Sequence, residues 1–158
     1  MTDDTNVYPP IASLVPHRAP MLLLDALKHA DTTSAHCQAF PTYQHHFFDK
    51  LLQGIPAWVG IELMAQTIAT WSGYQDFLTG KTPAIGFLVG SRQYKVTVPQ
   101  FPIGKPLDIF VEEVMSDGGM SVFRCHIELD GIEVATCQLS TYEPSTDALE
   151  DMTKGESP

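Results

Sequence analysis

A chain of 158 residues, 44% of them apolar, has the length of one folded domain and enough hydrophobic side chains to fill its core, which leaves no length for a second. Nineteen acidic against nine basic residues give a net charge of −10, which argues against nucleic acid or an anionic membrane as partner. The three cysteines, Cys37, Cys125 and Cys137, form neither an even disulfide set nor a Cys-x-x-Cys pair, so buried free thiols are expected and no metal site.

Met1-Thr2-Asp3-Asp4-Thr5-Asn6 carries neither the basic nor the apolar run of a leader, and no later run approaches bilayer length; the expectation is a cytoplasmic protein without membrane insertion. From residue 143 onward five acids (Glu143, Asp147, Glu150, Asp151, Glu156) meet one base, Lys154, with little apolar content. Such a segment does not bury enough apolar surface to order itself, so the domain is expected over 1–142 and an acidic disordered tail over 143–158.

Residues 8–20 are proline-rich and end in Pro16-His17-Arg18-Ala19-Pro20, which favours an extended or turning backbone. Met21-Leu22-Leu23-Leu24 then suits a first strand or a short packed segment, and 33–40 a second strand. A loop over 41–55 contains His45-His46-Phe47-Phe48. Residues 56–78 place Trp58, Ile61, Met64, Ala65, Ile68, Ala69, Trp71 and Leu78 at helical spacing behind a proline, and predict a helix. Val59 and Leu63 occupy its other faces, so it must be covered on most sides.

Four strands follow, over 84–98 with a break at Gly90-Ser91, 107–115, 121–129 and 132–142. Asp117-Gly118-Gly119 and Asp130-Gly131 supply hairpin turns, and Phe123, Cys125, Ile127 and Leu129 alternate with Val122, Arg124, His126 and Glu128. A long buried helix and a run of antiparallel strands imply an α+β fold whose sheet curls round a central helix.

Particular residues carry a family likeness. Leu14-Val15-Pro16-His17-Arg18-Ala19-Pro20-Met21-Leu22-Leu23-Leu24-Asp25 resembles the Pro-His-Arg-x-Pro-x-Leu-Leu-x-Asp opening of hotdog-fold beta-hydroxyacyl-acyl carrier protein dehydratases. Pro56-Ala57-Trp58-Val59-Gly60-Ile61-Glu62-Leu63-Met64-Ala65-Gln66 is similar to that family's helix start, with its glutamate at the same offset from the proline. Ile85-Gly86-Phe87-Leu88-Val89-Gly90 and Pro102-Ile103-Gly104 match later landmarks in order. The resemblance implies a hotdog fold, an antiparallel sheet wrapped around a long central helix, acting on 3-hydroxyacyl thioesters of acyl carrier protein or coenzyme A without a cofactor.

Dehydration of such a thioester needs a base for the C2 proton, an acid for the departing C3 hydroxyl and donors for the thioester oxyanion. The family's members draw a histidine and a helix carboxylate from opposite subunits, the histidine from a Gly-His-Phe-Pro-Gly loop before the helix. Glu62, alone in charge between Ala57 and Tyr74, is the implied carboxylate, suited to protonating the hydroxyl. Gln66, one turn on, shares its face and is placed to bond the carboxylate or the substrate. Gly54 stands where the resemblance implies a backbone donor to the thioester carbonyl, and His17 is structural or substrate-lining.

The loop itself departs from the pattern: in Phe47-Phe48-Asp49-Lys50-Leu51-Leu52-Gln53-Gly54, Leu51 falls where the histidine belongs. His45 and His46, just ahead of Phe47, are the weak substitutes. The leading expectation is a heterodimer in which a second hotdog subunit supplies the histidine, a pattern that resembles the dehydratase-like subunit of bacterial aryl polyene clusters, a fatty-acid-like pathway. An acidic carrier would be repelled by so acidic a chain unless a basic partner formed the docking face. The alternatives are a homodimeric hotdog thioesterase with Glu62 as base, and a non-catalytic acyl-binding or scaffolding subunit.

Overall fold

The computed structural model describes residues 7–81 and 86–144. A short 3-10 turn, Ile11–Ser13, opens the chain. There follow β1 (Ala26–Ala30), β2 (Ser34–Ala39), β3 (Gly54–Pro56), α1 (Val59–Leu78), β4 (Phe87–Val96), β5 (Gln100–Pro102), β6 (Leu107–Asp117), β7 (Met120–Leu129) and β8 (Ile132–Tyr142). Six strands form one antiparallel sheet in the order β1-β2-β6-β7-β8-β4, and β3 and β5 pair separately. Helix α1 packs against this sheet, which is the expected α+β hotdog arrangement.

The alternation in β7 is real: Phe123, Cys125 and Ile127 are buried with Leu107, Ile109, Val111 and Leu139 of the neighbouring strands, facing Val59, Leu63, Met64 and Ile68 of the helix. The hairpin turns use residues at positive φ, Gly118 at 57°, Gly119 at 88°, Asp130 at 55° and Gly131 at 76°, whose handedness matches the sheet twist.

One of two readings is selected and three expectations shift. Met21-Leu22-Leu23-Leu24 is the packed segment and not a strand; Leu23 and Leu24 are buried, and ladder pairing begins only at Ala26 opposite Gln38. The helix starts at Val59 and not at Pro56, because Pro56 pairs with Gln100 in the small sheet and Ala57 donates its N–H to Pro99. That sheet was not anticipated, since three-residue strands bearing Pro56 and Pro102 show no alternation and break strand propensity. In β4 the irregularity at Gly90 comes with a second, between Arg92 and Lys95, where Gln93 takes φ 57° and Tyr94 turns inward to hydrogen-bond the Ala57 carbonyl.

Residues 84 and 85 of the strand expected over 84–98, and 145–158 of the expected tail, lie outside the described residues. Glu143 and Pro144, also assigned to that tail, stand against the body: the Glu143 N–H donates to Gly119 and its carboxylate accepts from the Ser72 hydroxyl. No helix among the described residues is long and apolar enough to cross a membrane.

The opening segment lies along α1 at one tight crossing. A Cβ built on Gly73 would stand 2.0 Å from the Leu14 carbonyl oxygen and 2.9 Å from its carbon, both rigid backbone atoms. Alanine gains about 1 kcal/mol of helix propensity over glycine, but overpacking against backbone costs roughly 1–3 kcal/mol and more where nothing yields. Gly73→Ala is therefore expected to lower the melting temperature, although the same change in an open helix would raise it.

All three cysteines are free and buried. Burial pushes the Cys37 thiol up to about 12, and raises those of Cys125 and Cys137 as well, so almost none is thiolate near neutrality. A maleimide at pH 8 is expected to leave the native chain unlabelled and to modify all three cysteines in denaturant; rapid native labelling would contradict this packing.

Candidate active site

Glu62 stands in the first turn of α1, where the helix dipole favours negative charge. Its side chain is 39% exposed, so it lies at the rim of a cavity and is not enclosed among Trp58, Ile61, Leu63 and Met64. The cavity, about 640 Å³, runs from His17 and Glu62 along the helix past Ala65 and Ala69, small side chains that leave it open. Ile68, Trp71 and Phe123 give it apolar wall, with Trp71 edge-on to Phe123 at 5.5 Å. Its far end is polar, with Ser72, Asp76, Glu113 and Glu143.

Gln66 is buried and makes three hydrogen bonds that join the opening segment to the carboxylate. Its Oε1 accepts from the Leu23 N–H at 2.9 Å, and its Nε2 donates to the Met21 carbonyl at 2.7 Å and to Glu62 Oε1 at 2.9 Å. A backbone donor on one side and a backbone acceptor on the other leave one orientation for the amide. Hence Oε1 of Glu62 is an accepting oxygen, and Oε2 has no partner among the described residues.

His17 lies beside this pair, its Nε2 4.0 Å from Glu62 Oε1. The arrangement is invisible locally, since 45 residues separate His17 from Glu62. Arg18 was also missed as a clamp: its guanidinium donates to the carbonyls of Val15 at 2.8 Å and His17 at 2.7 Å.

The other sequence candidates stand elsewhere. Gly54 does not line the cavity; its N–H points at Asp49 O, 3.4 Å away, and a Cβ here would lie 2.6 Å from the Phe101 carbonyl oxygen, so close strand packing explains the glycine. His45 and His46 sit in the loop before β3, outside the cavity lining. His45 Nδ1 accepts the Phe47 N–H at 3.0 Å, and burial, then His46, hold its pKa below the ordinary imidazole value. Leu51 is 97% exposed at the tip of a turn built by Asp49, whose carboxylate accepts from the N–H groups of Leu51 and Leu52. His36 and His126 stack on both faces of Phe110 across three strands at 4.2 and 4.6 Å and bond Asp108 and Glu128. No cluster of three potential metal ligands occurs among the described residues.

Comparison with known proteins gives this geometry its context. A family model described as ApeP-like, ApeP dehydratase, matches residues 9–154. Among solved structures, the dehydratase heterocomplex ApeI:P from Xenorhabdus doucetiae contains a chain that superposes with a TM-score of 0.85 at 30% identity, over 93% of this chain and 99% of that one. The 3-hydroxyacyl-[acyl-carrier-protein] dehydratase FabZ of Bartonella quintana is 29% identical over 139 residues, covering 82% of this chain and 84% of the relative. The PaaI protein of E. coli, from the phenylacetic acid degradation operon, shares the fold alone, with a TM-score of 0.58 at 14% identity over 73% of this chain and 80% of that one. Because the family match spans the opening segment, the glutamate-bearing helix and all eight strands, the chain belongs to the ApeP-like dehydratase family.

Proposed function

We propose that this chain dehydrates 3-hydroxyacyl thioesters on acyl carrier protein, in a fatty-acid-like pathway of the aryl polyene kind, by contributing Glu62 to a site shared with a histidine-bearing hotdog subunit. The observation that carries this reading is Glu62 itself: a helix carboxylate whose Oε1 is tied to Gln66 while Oε2 remains available at a cavity with apolar walls. In the reaction the partner's imidazole takes the C2 proton, electrons move to form the C2–C3 double bond, and Glu62 Oε2 delivers a proton to the C3 hydroxyl, which leaves as water. The acyl chain lies along Ala65 and Ala69.

Three features support a second subunit. Leu51 holds the loop position of the family's histidine and carries no proton-accepting group. Strand β4 closes the sheet order with one edge unpaired among the described residues and Leu88 and Val89 46% and 53% exposed, a surface that proteins cover. One side of α1 is left as cavity wall instead of being packed by the described residues. The heterocomplex named for the similar structure agrees with such pairing.

The test is hydration of a trans-2-enoyl thioester by the purified chain, by a histidine-bearing hotdog subunit, and by their mixture, with complex formation followed by size exclusion. Turnover is expected only in the mixture, together with a stable complex. Full turnover by the chain alone would reject the shared site, and steady release of free thiol from an acyl thioester would point to hydrolysis instead.

A further inference from the structure

We propose that His17 is a positioning residue for Glu62, a second donor that fixes the carboxyl so that Oε2 meets the substrate. The inference rests on the reading of Glu62 as the reacting carboxyl and extends it to a residue from the opening segment. Three observations converge on it.

The first is how the histidine is held. Its backbone is clamped between the Arg18 bonds to the Val15 and His17 carbonyls and the Gln66 bonds to Met21 and Leu23, while Leu14 is seated against Gly73. A side chain on so fixed a segment has a defined place relative to the helix.

The second is the state of the ring. His17 Nδ1 is buried with no hydrogen-bond partner among the described residues, whereas Nε2 reaches the cavity beside Glu62. An N–H buried without an acceptor is a rarer and costlier defect than an unmatched lone pair. The hydrogen therefore belongs on Nε2, which makes that nitrogen a donor toward the carboxyl.

The third is the oxygen it faces. Gln66 and His17 both approach Oε1, at 2.9 and 4.0 Å. The longer distance exceeds a hydrogen bond; both side chains are partly exposed, 31% for His17 and 39% for Glu62, and the proposal has this gap close in the assembled site. A carboxyl held by one donor still swings about that bond; two donors on Oε1 fix its plane and leave Oε2 as the reacting oxygen. The other titratable groups of the cavity, Asp76, Glu113 and Glu143, lie at its far end, so the pair is built by α1 and the opening segment alone.

The proposal separates a donor from a proton carrier. Glutamine at position 17 places an N–H at the same number of bonds from Cα as histidine Nε2, but it does not titrate. The measurement is steady-state hydration by the complex with a histidine-bearing subunit, comparing the unsubstituted chain, His17→Leu, His17→Gln and Glu62→Gln. His17→Leu keeps the side-chain bulk, and thermal melts and size exclusion establish that each variant folds and assembles.

His17→Leu is expected to lower kcat roughly tenfold to a hundredfold, the range for losing a hydrogen bond to a reacting group, with KM changed less than about threefold. His17→Gln is expected to recover most of that loss. Equal impairment in His17→Gln and His17→Leu would overturn the donor role, because a titrating ring would then be required. Unchanged turnover in His17→Leu alongside an inactive Glu62→Gln would overturn the inference while leaving Glu62 in place. An active Glu62→Gln would instead remove the reading on which both depend.

Discussion

Replacing Glu62 by glutamine is expected to cut turnover of the assembled complex by roughly 10²–10⁴-fold, the contribution of a positioned general acid. The substitution keeps shape and keeps an oxygen to accept from Gln66 Nε2, but it leaves no transferable proton at the Oε2 position. Because the side chain is 39% exposed, stability is expected to change by less than about 0.5 kcal/mol. Steady-state kinetics and a thermal melt on the same preparation separate the two effects. A variant with unchanged melting and near-normal turnover would show that the acid lies elsewhere, and a variant that fails to bind its partner would show that Glu62 serves the interface.

Gln66→Leu is expected to have the largest effect on stability. It removes three hydrogen bonds at once and leaves the Leu23 N–H and the Met21 carbonyl without partners against the helix. An unsatisfied buried group such as the Leu23 N–H costs about 1–3 kcal/mol and the part-buried Met21 carbonyl adds less, so a loss of roughly 2–4 kcal/mol is expected, a large share of the 5–15 kcal/mol typical of a domain. At roughly 2–4 °C per kcal/mol for a chain of this size, the melting temperature should fall by about 5–15 °C. Gln66→Glu provides the control for packing: it keeps the volume but turns the donor facing Met21 O and Glu62 Oε1 into an acceptor, and should be at least as damaging near neutral pH. A leucine variant that melts like the unsubstituted chain would mean that the opening segment is held by apolar packing alone.

These two residues also show how far local pattern reaches. Glu62 was legible because a single charge in an apolar helical stretch stands out without any tertiary information, and the motif on either side of it carries a family likeness. Gln66 was legible only in part: spacing of one turn predicts its bond to Glu62, which the structure contains, but not its bonds to Met21 and Leu23. Those cross more than forty residues, and nothing at either end of the contact announces the other. His17 was recognised as part of a motif for the same local reason, yet its position beside Glu62 depends on the opening segment folding back along α1. The His36–Phe110–His126 stack depends likewise on register, since each residue merely alternates outward on its own strand.

Where expectation and structure part, a long-range pairing overrode a local preference. Pro56 suits a helix start but is taken by Gln100, and of the two readings open for Met21-Leu22-Leu23-Leu24 the packed segment is selected by a buried glutamine. By itself the sequence determined the α+β class, the central helix and the hairpins of the last three strands, and it singled out Glu62 and Leu51, because periodicity, turn chemistry and residue type are properties of short stretches. Only the tertiary structure decided which oxygen of Glu62 is tied, which ring stands beside it, where the cavity runs and why Gly54 and Gly73 must be glycine, because those depend on distances between segments that meet only when the sheet closes on the helix.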